Sequence, residues 1–169
     1  YNTNHNKVLS IGNAVPFAIG GFSSRTVQTV VAEGQPVGFI RGYKAVLNSD
    51  NSLKEILPLQ NLGSTLPTGY GNFSLSASYK NLSLMINGDY QYGAYVHSFD
   101  RQFRFSKGLK DGAIPEKALE GLDQGANWLN FTNFFVEKSD FVKIRNIGIS
   151  YDYKPEKYLK NINFGFNVY

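Results

Sequence analysis

The chain has 169 residues with a formal net charge of +4, is 42% hydrophobic and 15% aromatic, and carries too much core-forming material for a disordered segment. It has no Cys, which excludes disulfides, thiolate catalysis and thiolate metal sites. No run of about 18 apolar residues offers a spanning helix, and Lys and Arg are too scattered for the basic patch that a nucleic-acid surface needs.

One domain, or part of one, is the count for this length. The chain begins at Tyr1 without Met or a basic-then-apolar leader, so it is expected to be a piece of a longer protein. Near its start, Val8-Leu9-Ser10-Ile11 and Val15-Pro16-Phe17-Ala18-Ile19 are short apolar runs, and Gly20-Gly21 is expected to break the chain. Thr26 to Ala32 and Val37 to Val46 read as strands joined by a turn at Glu33-Gly34-Gln35-Pro36. Residues 47–69, rich in Asn, Ser, Gly, Leu and Pro without steady periodicity, read as a long loop.

The clearest pattern runs from Tyr70 to Tyr92. Phe73, Leu75, Ala77 and Tyr79 alternate with Asn72, Ser74, Ser76 and Ser78 up to a turn at Lys80-Asn81. Beyond it Leu82, Leu84, Ile86, Tyr90 and Tyr92 alternate with Ser83, Asn87, Asp89 and Gln91, with Met85 as the exception on the polar side. Period-two alternation predicts antiparallel strands with one apolar and one polar face. Each segment matches the roughly 9–11 residues that a tilted strand needs to cross a bilayer. A soluble sandwich and a membrane barrel both fit the alternation alone. The small, mostly uncharged polar face and the aromatics near the strand ends point to a transmembrane β-barrel.

Further on, Ala94 to Phe105 reads as extended, with Tyr95, Phe99, Phe103 and Phe105 on one parity. Ile114 to Gly121 carries the one helix signal: Pro115 at the start, Glu116 in the first turn and Gly121 after the end predict a short helix near 115–120. Asp123 to Asn133 reads as loop and holds the only Trp, Trp128. Asp140 to Asp152 reads as a long strand with Ile147, Ile149 and Tyr151 on one face and Asn146, Ser150 and Asp152 on the other. Lys143 and Arg145 share the apolar parity, which suggests a strand emerging into water. A turn around Lys154-Pro155-Glu156 leads to a last alternating strand, Ile162 to Tyr169.

Outer-membrane barrels have short periplasmic turns and long outer loops. The turns at Lys80-Asn81 and near Pro155 are then periplasmic, and the loops at 47–69 and about 93–139 extracellular, the second beginning as an extended arm.

No catalytic chemistry is legible. His97, Ser98 and Asp100 are neighbours in sequence, whereas triad members converge from separated positions. His5 and His97 without Cys make a poor zinc site, no phosphate-binding glycine loop has the needed spacing, and Glu116 with Glu120 reads as a solvated helix face rather than a glycosidase pair. Asn72-Phe73-Ser74, Asn81-Leu82-Ser83 and Asn130-Phe131-Thr132 match the glycosylation sequon, but two of them lie inside the hairpin and read as coincidence. The chain is expected to be non-enzymatic, with neither metal nor cofactor. For ligand contact, aromatic faces flanked by planar polar groups suit sugars, and the outer loop offers Tyr92, Tyr95, Asp100, Arg101 and Trp128. For Tyr92 and Trp128, packing or interface anchoring is the commoner role.

Several ordered motifs together carry a family resemblance. They are Glu33-Gly34-Gln35-Pro36-Val37-Gly38, Gly42-Tyr43-Lys44, Leu66-Pro67, Gly71-Asn72-Phe73, Tyr79-Lys80-Asn81-Leu82, Asn127-Trp128 and Phe134 through Ile147. This succession, over most of 33–169, resembles the late barrel of the SusC/RagA-type TonB-dependent outer-membrane transporters. The resemblance implies that 1–169 is the C-terminal part of a plugged barrel in the outer membrane of Bacteroidota-like bacteria, importing oligosaccharides or peptides. It also implies a SusD-like surface lipoprotein as lid and the TonB complex, reached through an N-terminal part outside this chain, as energy source. A barrel of about 22 strands at about 10 residues each needs more strand residues than this chain has. The rival reading is a secreted soluble β-sandwich that binds carbohydrate. It differs in burying Phe73, Leu75, Leu82, Leu84, Ile86, Ile147 and Ile149 against a second sheet, where a barrel turns them to lipid. A glycoside hydrolase would need two facing carboxylates about 5–10 Å apart, which no pattern here suggests.

Overall fold

The structure is a computed structural model that describes residues 1–22, 27–153 and 162–168. In chain order the strands are β1 Asn2–Thr3, β2 Phe17–Phe22, β3 Val27–Val31, β4 Phe39–Leu47, β5 Leu53–Ser64, β6 Gly69–Tyr79, β7 Leu82–Tyr92 and β8 Tyr95–His97. Helix α1 Phe99–Ser106 follows, then a 3-10 turn Glu116–Leu119, α2 Gln124–Asn127 and a second 3-10 segment Trp128–Phe135. Strands β9 Val136–Lys138, β10 Phe141–Tyr153 and β11 Ile162–Val168 complete the order. With 51% strand against 16% helix, and every pairing antiparallel, the class is all-β. The described strands form three open sheets and close no barrel. No described helix is long and apolar enough to cross a membrane, which has no bearing on strands. Packing divides the chain into two units.

The first unit comprises Tyr1–Thr3, Gly69–Tyr92 and Asp140–Tyr169, and its sheet runs β1-β6-β7-β10-β11. The predicted hairpin is present: β6 and β7 pair without a break from Gly69↔Tyr92 to Tyr79↔Leu82. The two-residue turn that this pairing leaves has Lys80 at φ 53°, the positive sense that suits the twist of the flanking strands. Across the sheet the apolar residues line up in rows, such as Leu75–Ile86–Ile147–Val168 and Ala77–Leu84–Ile149–Phe166. The opposite face carries rows such as Ser78–Ser83–Ser150 and Ser74–Asn87–Asn146. Gly69, Gly71 and Gly88 sit beneath the rings of Tyr92, Tyr90 and Phe73, so aromatic rings cover the bare backbone of the neighbouring strand.

One parity reading is corrected here. The β7–β10 register shifts between Ile144 and Asn146, a bulge at Arg145. Lys143 therefore stands opposite Asp89 on the polar face, and Arg145 donates Nη2 to Asp89 Oδ2 at 2.9 Å with a second bond from Nε to Oδ1. Neither charge extends the apolar face. Val142 and Ile144 continue it instead, opposite Tyr90 and Gly88.

The second unit comprises Asn4–Thr68 and Gly93–Ser139, with a sheet ordered β2-β3-β4-β5 and the small pair β8-β9. Four expectations change. Gly20-Gly21 does not break the chain: β2 runs through it, and a bulge between Ala18 and Gly20 absorbs the irregularity. The expected 47–69 loop contains β5, which pairs with β4 through three register shifts and carries Leu59 at φ 55° and Gly63 at φ 138°. Those bulges erase the period-two signal by which a strand is recognised. The stretch from Ala94 to Phe105 is extended only to His97 and then turns into α1, because the Phe99 to Phe103 spacing fits a helical face as well as strand parity. The signal at 115–120 yields a four-residue 3-10 turn rather than an α-helix, while Gly121 takes φ 73° after it as the stop demands. The turn at Lys154-Pro155-Glu156, and Thr26 at the start of its expected strand, lie outside the described residues.

The core of this unit forms where helices meet β4. Ala45, Phe105, Ile114, Ala118, Phe131 and Phe135 are buried together, with Leu47, Leu53 and Ile56 packed against them. Phe105 lies edge-on to Phe131 at 5.8 Å and against Phe135 at 5.6 Å, arrangements that add about 0.5–1.5 kcal/mol each beyond the area buried. Asn133 joins this layer to β4 by accepting from Ala45 N–H at 2.8 Å and donating to its carbonyl at 3.3 Å, as a neighbouring strand would.

Candidate functional site

The segment 93–139, expected as an outer loop, is a folded cap built on the second unit's core. Gly93, at φ 80°, ends β7, and a Cβ there would meet Thr68 Cβ at 2.7 Å. After β8 the chain enters α1, with Asp100 in its first turn and Arg104 in its last, each matched to the helix dipole. Gln102 is buried and holds three elements together. It donates to the Trp128 carbonyl at 3.1 Å and to Thr132 Oγ1 at 3.0 Å, and its own carbonyl oxygen meets His97 Nε2. Since that oxygen can only accept, His97 carries its proton on Nε2. Burial pushes the His97 imidazole below its ordinary pKa, and the bond to Gln102 offsets this in part.

Arg101 is the charged hub of the cap. Its Nε and Nη2 donate to Asp111 at 2.9 and 2.7 Å, its other nitrogen pairs with Glu137 of β9, and the guanidinium lies 5.8 Å from the Phe135 ring centroid. The Arg101 guanidinium holds the Asp111 carboxyl below the usual carboxylate range. Asp111 also accepts from Ala113 N–H at 3.0 Å, which fixes the loop that leads into the 3-10 turn. Asp123 caps α2 by accepting from Gly125 and Ala126, so Trp128 is set in helical backbone rather than the expected loop.

Around this loop lie two depressions that share Lys110, Asp111 and Gly112 in their walls. The larger, about 660 Å³, has Ile114, Leu119 and Leu122 among its apolar lining and Lys110, Glu116 and Glu120 on its polar side. That volume is within the range of small-ligand sites, about 300–1,000 Å³. Lys110 pairs with Glu116, which holds that carboxyl below its ordinary pKa. Lys117 pairs at 2.7 Å with Asp50, whose carboxyl is held well below the usual range by that bond. Glu120 makes no ion pair among the described residues. A separate groove of about 410 Å³ is lined by Thr29, Thr65, Tyr95, His97 and Ser139 with apolar neighbours.

The five residues expected to meet a ligand are divided among these features. Trp128 is half-buried and packs on the core cluster. Arg101 is held by Asp111 and Glu137, and Asp100 is exposed on α1. Tyr95 lines the 410 Å³ groove with its ring against Gly63. Tyr92 belongs to the first unit, where its hydroxyl meets that of Tyr1 at 3.0 Å. Within the cap, then, Asp100 and Arg101 are neighbours on one helix, while Tyr95 and Trp128 serve different surroundings. Lys110, Glu116 and Glu120, which line the 660 Å³ depression, carry no ligand signal in the sequence. The one signal that could have found them was the Pro115 and Gly121 punctuation, which brings a charged segment back over Ile114 and Leu119. In comparisons with known proteins, the chain matches no family model and no curated protein.

Proposed function

We propose that the chain is part of a transmembrane β-barrel in a bacterial outer membrane, and that the parent protein is a TonB-dependent importer of the SusC/RagA type. It takes up oligosaccharides or peptides with a SusD-like lipoprotein as lid and the TonB complex as energy source, and it is not an enzyme. The observation that supports this reading is the two-faced ladder of the first unit. On one face Leu75 is 62% exposed, Ile149 46% and Phe166 69%, and no charged residue interrupts the rows. The other face is mostly Ser, Asn and Gly with a compact ion cluster at Asp89. Apolar out and small-polar in is the arrangement that a lipid-facing, water-filled barrel requires. Strands of 11, 11 and 13 residues suit a tilted crossing. A soluble carbohydrate-binding sandwich would bury this apolar face, and its exposure is at odds with that rival.

The test is fractionation of cells that make the parent protein. Recovery in the outer-membrane pellet, with release only by detergent and a heat-dependent shift in gel mobility, is expected. Recovery in a soluble periplasmic or secreted pool overturns the proposal.

A further inference from the structure

We infer that the open edge of β6 seats a further strand, the segment of the parent chain that leads into Tyr1, running antiparallel to β6 in the register that β1 already sets. This rests on the barrel reading and adds a wall neighbour to it. The whole of 4–68 then becomes one outer loop between adjacent wall strands.

The edge comes first. Strand β6 has 11 residues, but β1 covers it only where Asn2 faces Tyr70 and Thr3 faces Gly69. From Gly71 to Tyr79 its backbone has β7 on one side and no partner on the other among the described residues. An unpaired edge is a template for another strand, and hydrocarbon, which offers neither donors nor acceptors, requires it to be covered. The direction of β1 fixes what covers it. Because the pairing is antiparallel, a step back along the chain from Thr3 to Asn2 is a step along β6 from Gly69 to Tyr70, towards Tyr79. Tyr1 stays on this sheet, with its hydroxyl 3.0 Å from that of Tyr92. Continued without a break, the register sets the second, fourth, sixth and eighth residues before Tyr1 opposite Phe73, Leu75, Ala77 and Tyr79, on the apolar face. The first, third, fifth and seventh stand opposite Asn72, Ser74, Ser76 and Ser78.

The connections agree. Thr3 faces Gly69 and Asn4 N–H donates to the Thr68 carbonyl at 2.8 Å, so 4–68 leaves the ladder and rejoins it at one place. Phe141 faces Gln91 at the base of 93–139 in the same way. Both excursions start from the end of the sheet opposite the Lys80-Asn81 turn. Every buried apolar side chain among the described residues lies within these two excursions, Val30, Phe39, Ile40 and Ala45 among them, whereas the ladder exposes its apolar face. Strands β2 to β5 thus have a protein core of their own, as a sheet in water requires, and are not wall strands.

The experiment uses the full-length parent protein in cells, freed of native cysteines. Ser76→Cys is combined with a cysteine at the fourth, fifth or sixth position before Tyr1 and oxidised with copper phenanthroline. An intramolecular crosslink, read as a gel mobility shift, is expected with the fifth position alone, since facing Cα atoms lie about 4.5–5.5 Å apart and the flanking residues point to the other face. Lys44→Cys in β4 is expected to react with a membrane-impermeant maleimide on whole cells, and Lys80→Cys at the tight turn only after lysis. Absence of the fifth-position crosslink, a crosslink at the fourth or sixth position or between two copies, or any other labelling pattern in the outer-membrane protein overturns the inference. Failure here is separable from failure of the barrel reading: a soluble protein that forms the fifth-position crosslink sinks the barrel alone, and an outer-membrane protein without it sinks this strand assignment alone.

Discussion

Leu75 and Ser74 are neighbours in β6 that face opposite sides of the first unit's sheet, and both are exposed in the chain. They therefore give a paired test of what each face meets. A strand of 11 residues rises about 36 Å at about 3.3 Å per residue, and a tilt of about 45° reduces this to about 25 Å, the height of a barrel's apolar band. Leu75 lies four residues inside the Tyr79 end, so it stands about 9 Å within that band. Arg at such a depth on a lipid face costs about 2 kcal/mol, roughly a thirtyfold loss of folded protein. On a face that meets water the same change is worth about 0.5 kcal/mol or less. Ser74→Arg should stay within that smaller value, because its face looks into water in a barrel. The assay is urea unfolding of the parent protein in phosphatidylcholine vesicles, followed by far-ultraviolet circular dichroism. The lipid reasoning fails if Leu75→Arg and Ser74→Arg shift the midpoint alike.

Gly88→Ala should destabilise the first unit by about 1–3 kcal/mol, since the new Cβ would meet the Lys143 carbonyl and the Phe73 ring at 2.7 Å. A double change with Phe73→Leu should recover part of that loss in the same urea titration. Gln102→Leu leaves Thr132 and the Trp128 carbonyl without their donor, and an unfolding loss of about 1–3 kcal/mol with altered Trp128 emission is expected. His97 is held below its ordinary pKa of 6.5 by burial. The unfolded chain then binds the extra proton first, so the His97 contribution is complete above that value and is lost as pH falls from 6.5 through the lower folded value. His97→Gln should flatten this part of a stability-versus-pH curve. The separate loss below 3.8 from Asp111, whose pKa is lowered by Arg101, should remain.

The strands that were legible in sequence are those whose partners impose no interruption. From Gly69 to Tyr92 the ladder is unbroken and rings cover the glycines, so a simple count of alternate residues recovers faces and turn alike. Strand β5 was missed because three shifts in its pairing with β4 reset the parity. Helix α1 was missed because Phe99 and Phe103 satisfy both a two-residue and a helical spacing, and only Gln102 and Phe105, both buried and three residues apart, favour the helix. The cap was illegible for a different reason. Its hub joins Arg101 to Asp111 and Glu137, and its hydrogen bonds tie Gln102 to Trp128 and Thr132, pairings between distant positions that no local pattern encodes. Ligand candidates chosen by residue type thus included Trp128 and Arg101, whose packing and ion pairs already engage them.

The bulge at Arg145 bears on the membrane reading more than the residues that were counted correctly. With strict alternation back from Ile147, both Lys143 and Arg145 fall on the apolar face, where two cations would stand against hydrocarbon at several kcal/mol. A one-residue slip exchanges the faces. The extra residue does this once, after Ile144, so that Lys143 and Arg145 both gather at Asp89 while Val142 and Ile144 join the face of Phe73, Tyr90 and Ile147. A face open to water has no reason to expel cations, since exposed charge costs nothing there. A face against lipid does. The bulge disrupts the ladder locally, and what it gains is an apolar surface without charge from Val142 to Tyr153.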